Sequence, residues 1–432
     1  MISRVRGNVI VAAALAVAAI AQTVAADPRF STLYEFPGGA HGVNPEAGVI
    51  LGPAGSLYGT TDSDGINGGG VVFQLSPRPM PGRPWTQTIL KRFLEPEQGG
   101  YPLGLVATSS GVLYGLTLDG GGTQSGSGIV YSLTPPAAGL TKWTTTILHR
   151  FRGGSDGELP GGSVIVDENG VVSGTTILGG AGPGLDGYGV AFSLTPPETP
   201  GGRWTETILH RFTSSPDGAT PDGALLPSGA SVRFGVTTTG GTGICSDVGC
   251  GTAYRLQQNA DRWVRTIIYQ FQGGADGWIP VDRLIADAAG SLYGATANGG
   301  LPGPNGQYFT GTVFRLDPPP AGGIRWTKTI LYEFQGDGDG YLPDGGLTFD
   351  ANGALYGTTE LGGASYGGTV FKLTANAPGQ PWTKTILHSF GGGAGDGANP
   401  TGPVTLDASG ALFGTTLHGG SENDGTVYRI TP

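Results

Sequence analysis

One short phrase, Leu-Tyr-Gly-Thr-Thr or a close variant, recurs along the chain. Its glycine stands at Gly59, Gly115, Gly174, Gly235, Gly294, Gly357 and Gly414, at spacings of 56, 59, 61, 59, 63 and 57 residues. Seven copies of a unit of about 59 residues signal an array of small structural units, none of which buries its apolar face alone. The period also changes how composition is read. The 83 Gly and 32 Pro among 432 residues would otherwise suggest a low-complexity chain. Charged residues at 13% argue against coiled coil or charge-rich disorder, and 38% hydrophobic residues suffice for a core if they are organised.

Each unit holds four strand-like phrases. In the sixth they are A, GGLTFD (345–350); B, ALYGTT (354–359); C, GTVFKL (368–373); and D, WTKTILHSF (382–390). A tight Ala-Asn-Gly turn joins A to B, a Gly-rich loop joins B to C, and a Pro-rich loop joins C to D. C and D alternate apolar and polar residues and are rich in Val, Ile, Thr and aromatics, as half-buried strands are. No window outside the N-terminal segment carries a helical period.

Phrase D ends in Phe36, Phe93, Phe151, Phe212, Phe271, Phe334 and Phe390, and phrase C carries Phe73, Tyr131, Phe192, Tyr254, Phe314, Phe371 and Tyr428. The chain after its leader begins with D and ends with C, so the incomplete units at the two ends sum to one. A closed ring explains this, with the N-terminal strand as the outer strand of the last blade, whereas a linear solenoid needs atypical caps. The expected fold is all-β: a seven-bladed β-propeller of four-stranded blades over residues 27–432. Recurring Trp85, Trp143, Trp204, Trp263, Trp326 and Trp382 before phrase D are expected to pack between blades.

Residues 1–26 read as a secretory signal peptide, with Arg4 and Arg6 ahead of an apolar run and small residues before Asp27. Its loss takes two Arg from a chain of net charge −10, leaving −12. That balance argues against nucleic acid, which requires basic patches. No other segment is apolar enough to span a bilayer. The expected location is secreted, periplasmic or cell-surface, and the expected state a monomer. Cys245 and Cys250, five residues apart, read as a disulfide in an exported chain.

The phrases LYGTT, GG, GTVFxL, TILYxF and DGxxP, taken together over residues 30–432, resemble the choice-of-anchor tandem-repeat family of GloVer type. The resemblance implies exported or surface proteins with varied C-terminal sorting signals. It brings no activity and no catalytic residues. No terminal anchor is recognisable here, which favours a released or periplasmic protein. Phrases A and B are also similar to NHL-type propeller repeats, which supports placing A innermost.

Three groups stand out as candidate sites. Asp-Gly-x-x-Pro recurs in the D-to-A loops at Asp156, Asp217, Asp276, Asp339 and Asp396, with His41 and Gln98 in the other two units. One reading is turn chemistry, with Asp bonding local backbone, Gly at positive φ and Pro fixing the strand entry. The other is an acidic ring that binds a cation, calcium being suggested by GDGDG around Asp339, although an EF-hand's distal Glu and spacing are missing. The second group comes from long B-to-C loops in blades three to five and the adjoining turns: Tyr188, Trp278, Asn305, Tyr308, Phe309 and Tyr341. Aromatics beside amides and carboxylates suit sugar faces and hydroxyls; these rings also serve if they only pack the loops. The third group is His41 and His418, an acid/base or metal pair at the seam between last and first blades. His149, His210 and His388 recur within phrase D and read as structural. No GxSxG, HExxH, P-loop or dinucleotide fingerprint occurs. The expected function is therefore a binding or interaction propeller for an extracellular glycan or polymer. The alternatives are a polysaccharide lyase or hydrolase, by analogy of fold, and a structural envelope protein.

Overall fold

The computed structural model describes residues 28–431 apart from 64–67, 79–84, 95–96, 123–125, 181–186, 200, 246, 261, 301–309, 322 and 378–379. The signal peptide lies outside the described residues. Seven four-stranded antiparallel sheets form the ring. Blade 3 is representative: Glu158–Val166, Val172–Leu178, Val190–Thr195 and Thr205–Arg211, in that order from the channel outward. Blade 7 is assembled from both ends of the chain. Thr405–Leu406, Leu412–Thr416 and Thr426–Thr431 are completed by Arg29–Glu35 as the outer strand. Arg29 lies opposite Thr431 and Glu35 opposite Thr426. Ring closure removes the long exposed edges that an open array would present.

The core lies between blades. Seven buried clusters each draw on two neighbouring sheets; one joins Leu33, Phe36 and Val427 of blade 7 to Val49, Leu57 and Phe73 of blade 1. The terminal Phe of each outer strand meets the third-strand aromatic of the next blade edge-on. The seven centroid distances run from 5.0 Å for Phe93–Tyr131 to 5.3 Å for Phe36–Phe73. Such pairs add about 0.5–1.5 kcal/mol each beyond the area they bury. The tryptophans also bridge blades, as in Trp143 on Tyr58 and Trp326 on Phe234.

The same aromatics explain the repeated glycine. Gly59 lies opposite Phe73 in the ladder, as Gly235 lies opposite Tyr254. The ring folds over the glycine so closely that a Cβ would stand 2.5 Å from Phe73 and 2.4 Å from the Tyr254 hydroxyl. Only glycine leaves that space, so the phrase that marks the repeat is a packing constraint on the second strand.

Candidate functional site

A second sevenfold device sets the channel mouth. The residue before the proline of each D-to-A loop is left-handed: Asn44, Tyr101, Leu159, Thr220, Ile279, Leu342 and Asn399, with φ between 52° and 57°. Residues before proline ordinarily take extended conformations, and here the tertiary structure overrides that preference. Each of these N–H groups donates to a carbonyl just before the third strand of the preceding blade, as in Thr220 to Tyr188 at 3.0 Å. The proline then lies against the glycine that opens that strand; a Cβ on Gly311 would be 2.3 Å from Pro343. This stitch aims the following residue at the axis. Glu46, Leu103, Asp222, Val281, Asp344 and Thr401 thereby line the channel.

The resulting cavity of about 250 Å³ is two-sided. Glu46, Asp222, Asp282 and Asp344 stand on blades 1, 4, 5 and 6, with Arg283 beside Asp282, whereas Pro102, Leu103, Leu105 and Val106 of blade 2 give an aliphatic wall. Asp282 holds φ 50° and leans onto the glycines of its neighbours, Gly223 and Gly346. Its Oδ2 is buried without a hydrogen-bond partner. Burial, followed by repulsion from Asp344, Glu46 and Asp282, pushes Asp222 up to about 7. Burial, followed by repulsion from Glu360, Asp282 and Glu46, does the same to Asp344. Glu46 is raised by burial and by Asp62 and Glu360. Buried carboxyls shift this way when they crowd one another; Arg283, in the same lining, offsets part of the rise at Asp282.

The five aspartates of the DGxxP loops sit elsewhere and are engaged. Asp156, Asp217, Asp276, Asp339 and Asp396 each accept a backbone N–H four or five residues upstream, at 2.7–2.9 Å. The following glycines, such as Gly277 at φ 81°, are left-handed. Beyond this turn chemistry they latch neighbouring blades. Tyr269 of blade 4 and Lys328 of blade 5 both donate to Asp276; Tyr332 of blade 5 and Lys384 of blade 6 both donate to Asp339. His210 and Arg265 flank Asp217, and His388 pairs with Asp396 at 3.0 Å. Lys328, 3% exposed, lies over the rings of Tyr269, Phe271 and Phe314, and burial lowers it to about 8. His210 and His388 thus have the structural role their recurrence suggests. At the junction of blades 2 and 3 an acid, Glu206, takes the position that Arg265, Lys328 and Lys384 hold on blades 4 to 6, beside Asp156 and His149. Burial and Asp156 push Glu206 up to about 8.

Of the aromatic group, Asn305, Tyr308 and Phe309 lie outside the described residues. Trp278 packs partly buried against a cluster containing Cys245, Cys250 and Phe271. Tyr188, partly buried, packs against the cluster that contains Phe212 and Tyr254. Tyr341 is bridged to Leu361. His41 and His418 are engaged separately: His41 donates to Gln87 at 2.8 Å, and Asn44 donates to His418 at 3.2 Å. Cys245 and Cys250 form the expected disulfide. The acidic channel was visible in the sequence only as the residue after each loop proline, a position that varies among Glu, Leu, Gly, Asp, Val and Thr.

The molecule is thus a closed seven-bladed β-propeller with a two-sided acidic channel. It belongs to the Gloeobacter/Verrucomicrobia repeat family, whose model matches residues 19–185 and 245–432. No curated protein matches it in sequence. Among solved structures, it is similar to a fungal alcohol oxidase of the AA5 family in complex with copper (TM-score 0.51, 13% identity, 94% of this chain and 76% of that one). It is also similar to a putative 6-phosphogluconolactonase from Bacteroides uniformis (TM-score 0.50, 15% identity, 83% of this chain and 88% of that one). At these identities the likeness is one of fold alone.

Proposed function

We propose that the protein is an exported binding propeller whose channel mouth takes an amine-bearing sugar unit of an extracellular glycan. The observation that carries this reading is the set of four carboxylates, in excess over the one cation Arg283, facing an aliphatic wall across one cavity. Ionised carboxylates attract an ammonium group, carboxyls near neutrality can donate to or accept from hydroxyls, and the leucines suit the C–H face of a sugar ring. The disulfide, and the absence among the described residues of a helix long and apolar enough to cross a membrane, are consistent with export.

Calorimetry with chitosan oligomers and their N-acetylated counterparts tests the proposal. Binding of the amine form should weaken at least ten-fold in D222N/D344N and with added salt, which screens charge. Equal binding by the variant overturns the site. Loss of binding in Trp278→Ala/Tyr308→Ala, with D222N/D344N unaffected, moves the site to the loop aromatics. Calcium uptake that depends on Asp222 and Asp344, without oligomer binding, makes the channel a metal site instead. Product analysis in the same mixtures decides the lyase or hydrolase alternative.

A further inference from the structure

The junction between blades 2 and 3 departs from its sister junctions in a way that points to a ligand. At four junctions the residue six places before the terminal Phe of the outer strand reaches back to the latch residue of the loop entering its blade. Gln87 bonds His41, and Arg265, Lys328 and Lys384 pair with Asp217, Asp276 and Asp339. Glu206 occupies that position on blade 3, so two carboxylates and an imidazole meet where those four junctions place a cation or an amide and blades 2 and 7 carry Thr145 and Phe30; the exposed Arg152 reaches only Asp156, its Nε 3.5 Å from Oδ2. His149 Nε2 lies 3.4 Å from Asp156 Oδ2 and 3.7 Å from Glu206 Oε1. Donor atoms of all three residues lie within 4.8 Å of one another. The side chains are 13%, 12% and 17% exposed, yet His149 Nε2 and Glu206 Oε1 make no hydrogen bond. Buried polar atoms are ordinarily satisfied, so two orphans facing one point call for a missing partner.

The spacing suits an ion. Bonds of about 2.0–2.1 Å from a tetrahedral zinc to His nitrogen and carboxylate oxygen place donor atoms roughly 3.3–3.4 Å apart. A surface cavity lined by His149, Arg150, Arg152, Arg203 and Glu206 gives access from solvent. We propose that His149, Asp156 and Glu206 form a binding site for a divalent transition-metal ion, zinc by its donor set. Its fourth position opens to that arginine-lined cavity, and water or a small anion fills it. One His with two carboxylates is too soft a set for magnesium and too hard for copper(I). This site is independent of the channel reading.

Metal-stripped protein, otherwise intact, should take up one equivalent of Zn²⁺ by calorimetry. With Co²⁺ it should show the visible absorption of a four-coordinate site. H149Q and E206Q should each weaken uptake at least ten-fold. E206K restores the charge carried by Lys328 and Lys384; it should fold with an unchanged or higher Tm and bind no zinc. D222N/D344N should bind zinc as the wild type does. The proposal is overturned by absence of saturable uptake, which would leave a proton shared between the two carboxyls. It is equally overturned by uptake that survives in E206K and H149Q, or by uptake that disappears only in D222N/D344N.

Discussion

Replacing Tyr131, Tyr254 and Tyr428 by phenylalanine should stabilise the protein. These three residues occupy the third-strand position that Phe73, Phe192, Phe314 and Phe371 hold in the other blades. All seven side chains are fully buried. Each tyrosine hydroxyl is buried without a hydrogen-bond partner, folded over the repeat glycine of the neighbouring strand. A buried hydroxyl left unpaired costs about 1–3 kcal/mol, and removing it leaves the ring's edge-on contact intact. Blades 2, 4 and 7 share no boundary among these three residues, so the gains should add, to roughly 3–9 kcal/mol for the triple variant. For a chain of this size the unfolding entropy converts about 1 kcal/mol into about 1 °C of Tm. Scanning calorimetry of Y131F, Y254F, Y428F and the triple variant should therefore show stepwise increases, several degrees in total. A fall in Tm with each substitution would refute the reasoning, because it would mean that the hydroxyls are satisfied by ordered water.

Three further outcomes follow from the packing and the charges. Asp222 and Asp344 titrate at about 7 in the folded protein against an ordinary 3.8. The folded state therefore binds more protons between those values, and their contribution falls as pH rises from about 4 through 7. The difference in Tm between D222N/D344N and wild type should thus grow over that interval and level off above it; a flat difference would contradict the crowding. Lys328→Met leaves Asp276 without its buried cation and should cost up to the roughly 3–5 kcal/mol typical of a broken buried pair, less for the bonds Tyr269 and Gln272 keep with Asp276, measured by denaturant unfolding. Gly235→Ala drives a methyl into the Tyr254 ring and should cost about 1–3 kcal/mol, whereas Gly229→Ala, with open space around its Cβ, should cost only the strain of its φ of 67°.

The fold was legible because each blade repeats large residues at fixed offsets. The terminal Phe, the third-strand aromatic and the second-strand glycine are one contact written three times over in each unit, and their count exposed the closing strand. The site was less legible because its residues are the ones that do not repeat. Glu46, Asp222 and Asp344 share a position with Leu103 and Thr401, and only the common axis brings the acids together. Nor does sequence reveal that the residue before each proline is left-handed, since isolated preference points the other way. Glu206 is the one acid at a position that holds Gln, Thr, Arg, Lys or Phe in the other units, but its meaning needed the cross-blade pairing that sets it against Asp156 and His149. The DGxxP aspartates illustrate the converse: a recurring motif takes part in turns and cross-blade latches, built from residues the sequence could list but not pair.

The seam of blade 7 has a mechanical consequence. Arg29 faces Thr431 across an antiparallel ladder, so the chain enters and leaves the ring at the same end of one strand pair. A force applied between the two ends loads that pair's hydrogen bonds one after another, as in peeling tape, rather than all together as in shear. The ring therefore resists heat through seven interblade cores but resists traction only through the first bonds at its seam, reinforced there by Phe30 stacked on His388 of blade 6 at 3.7 Å.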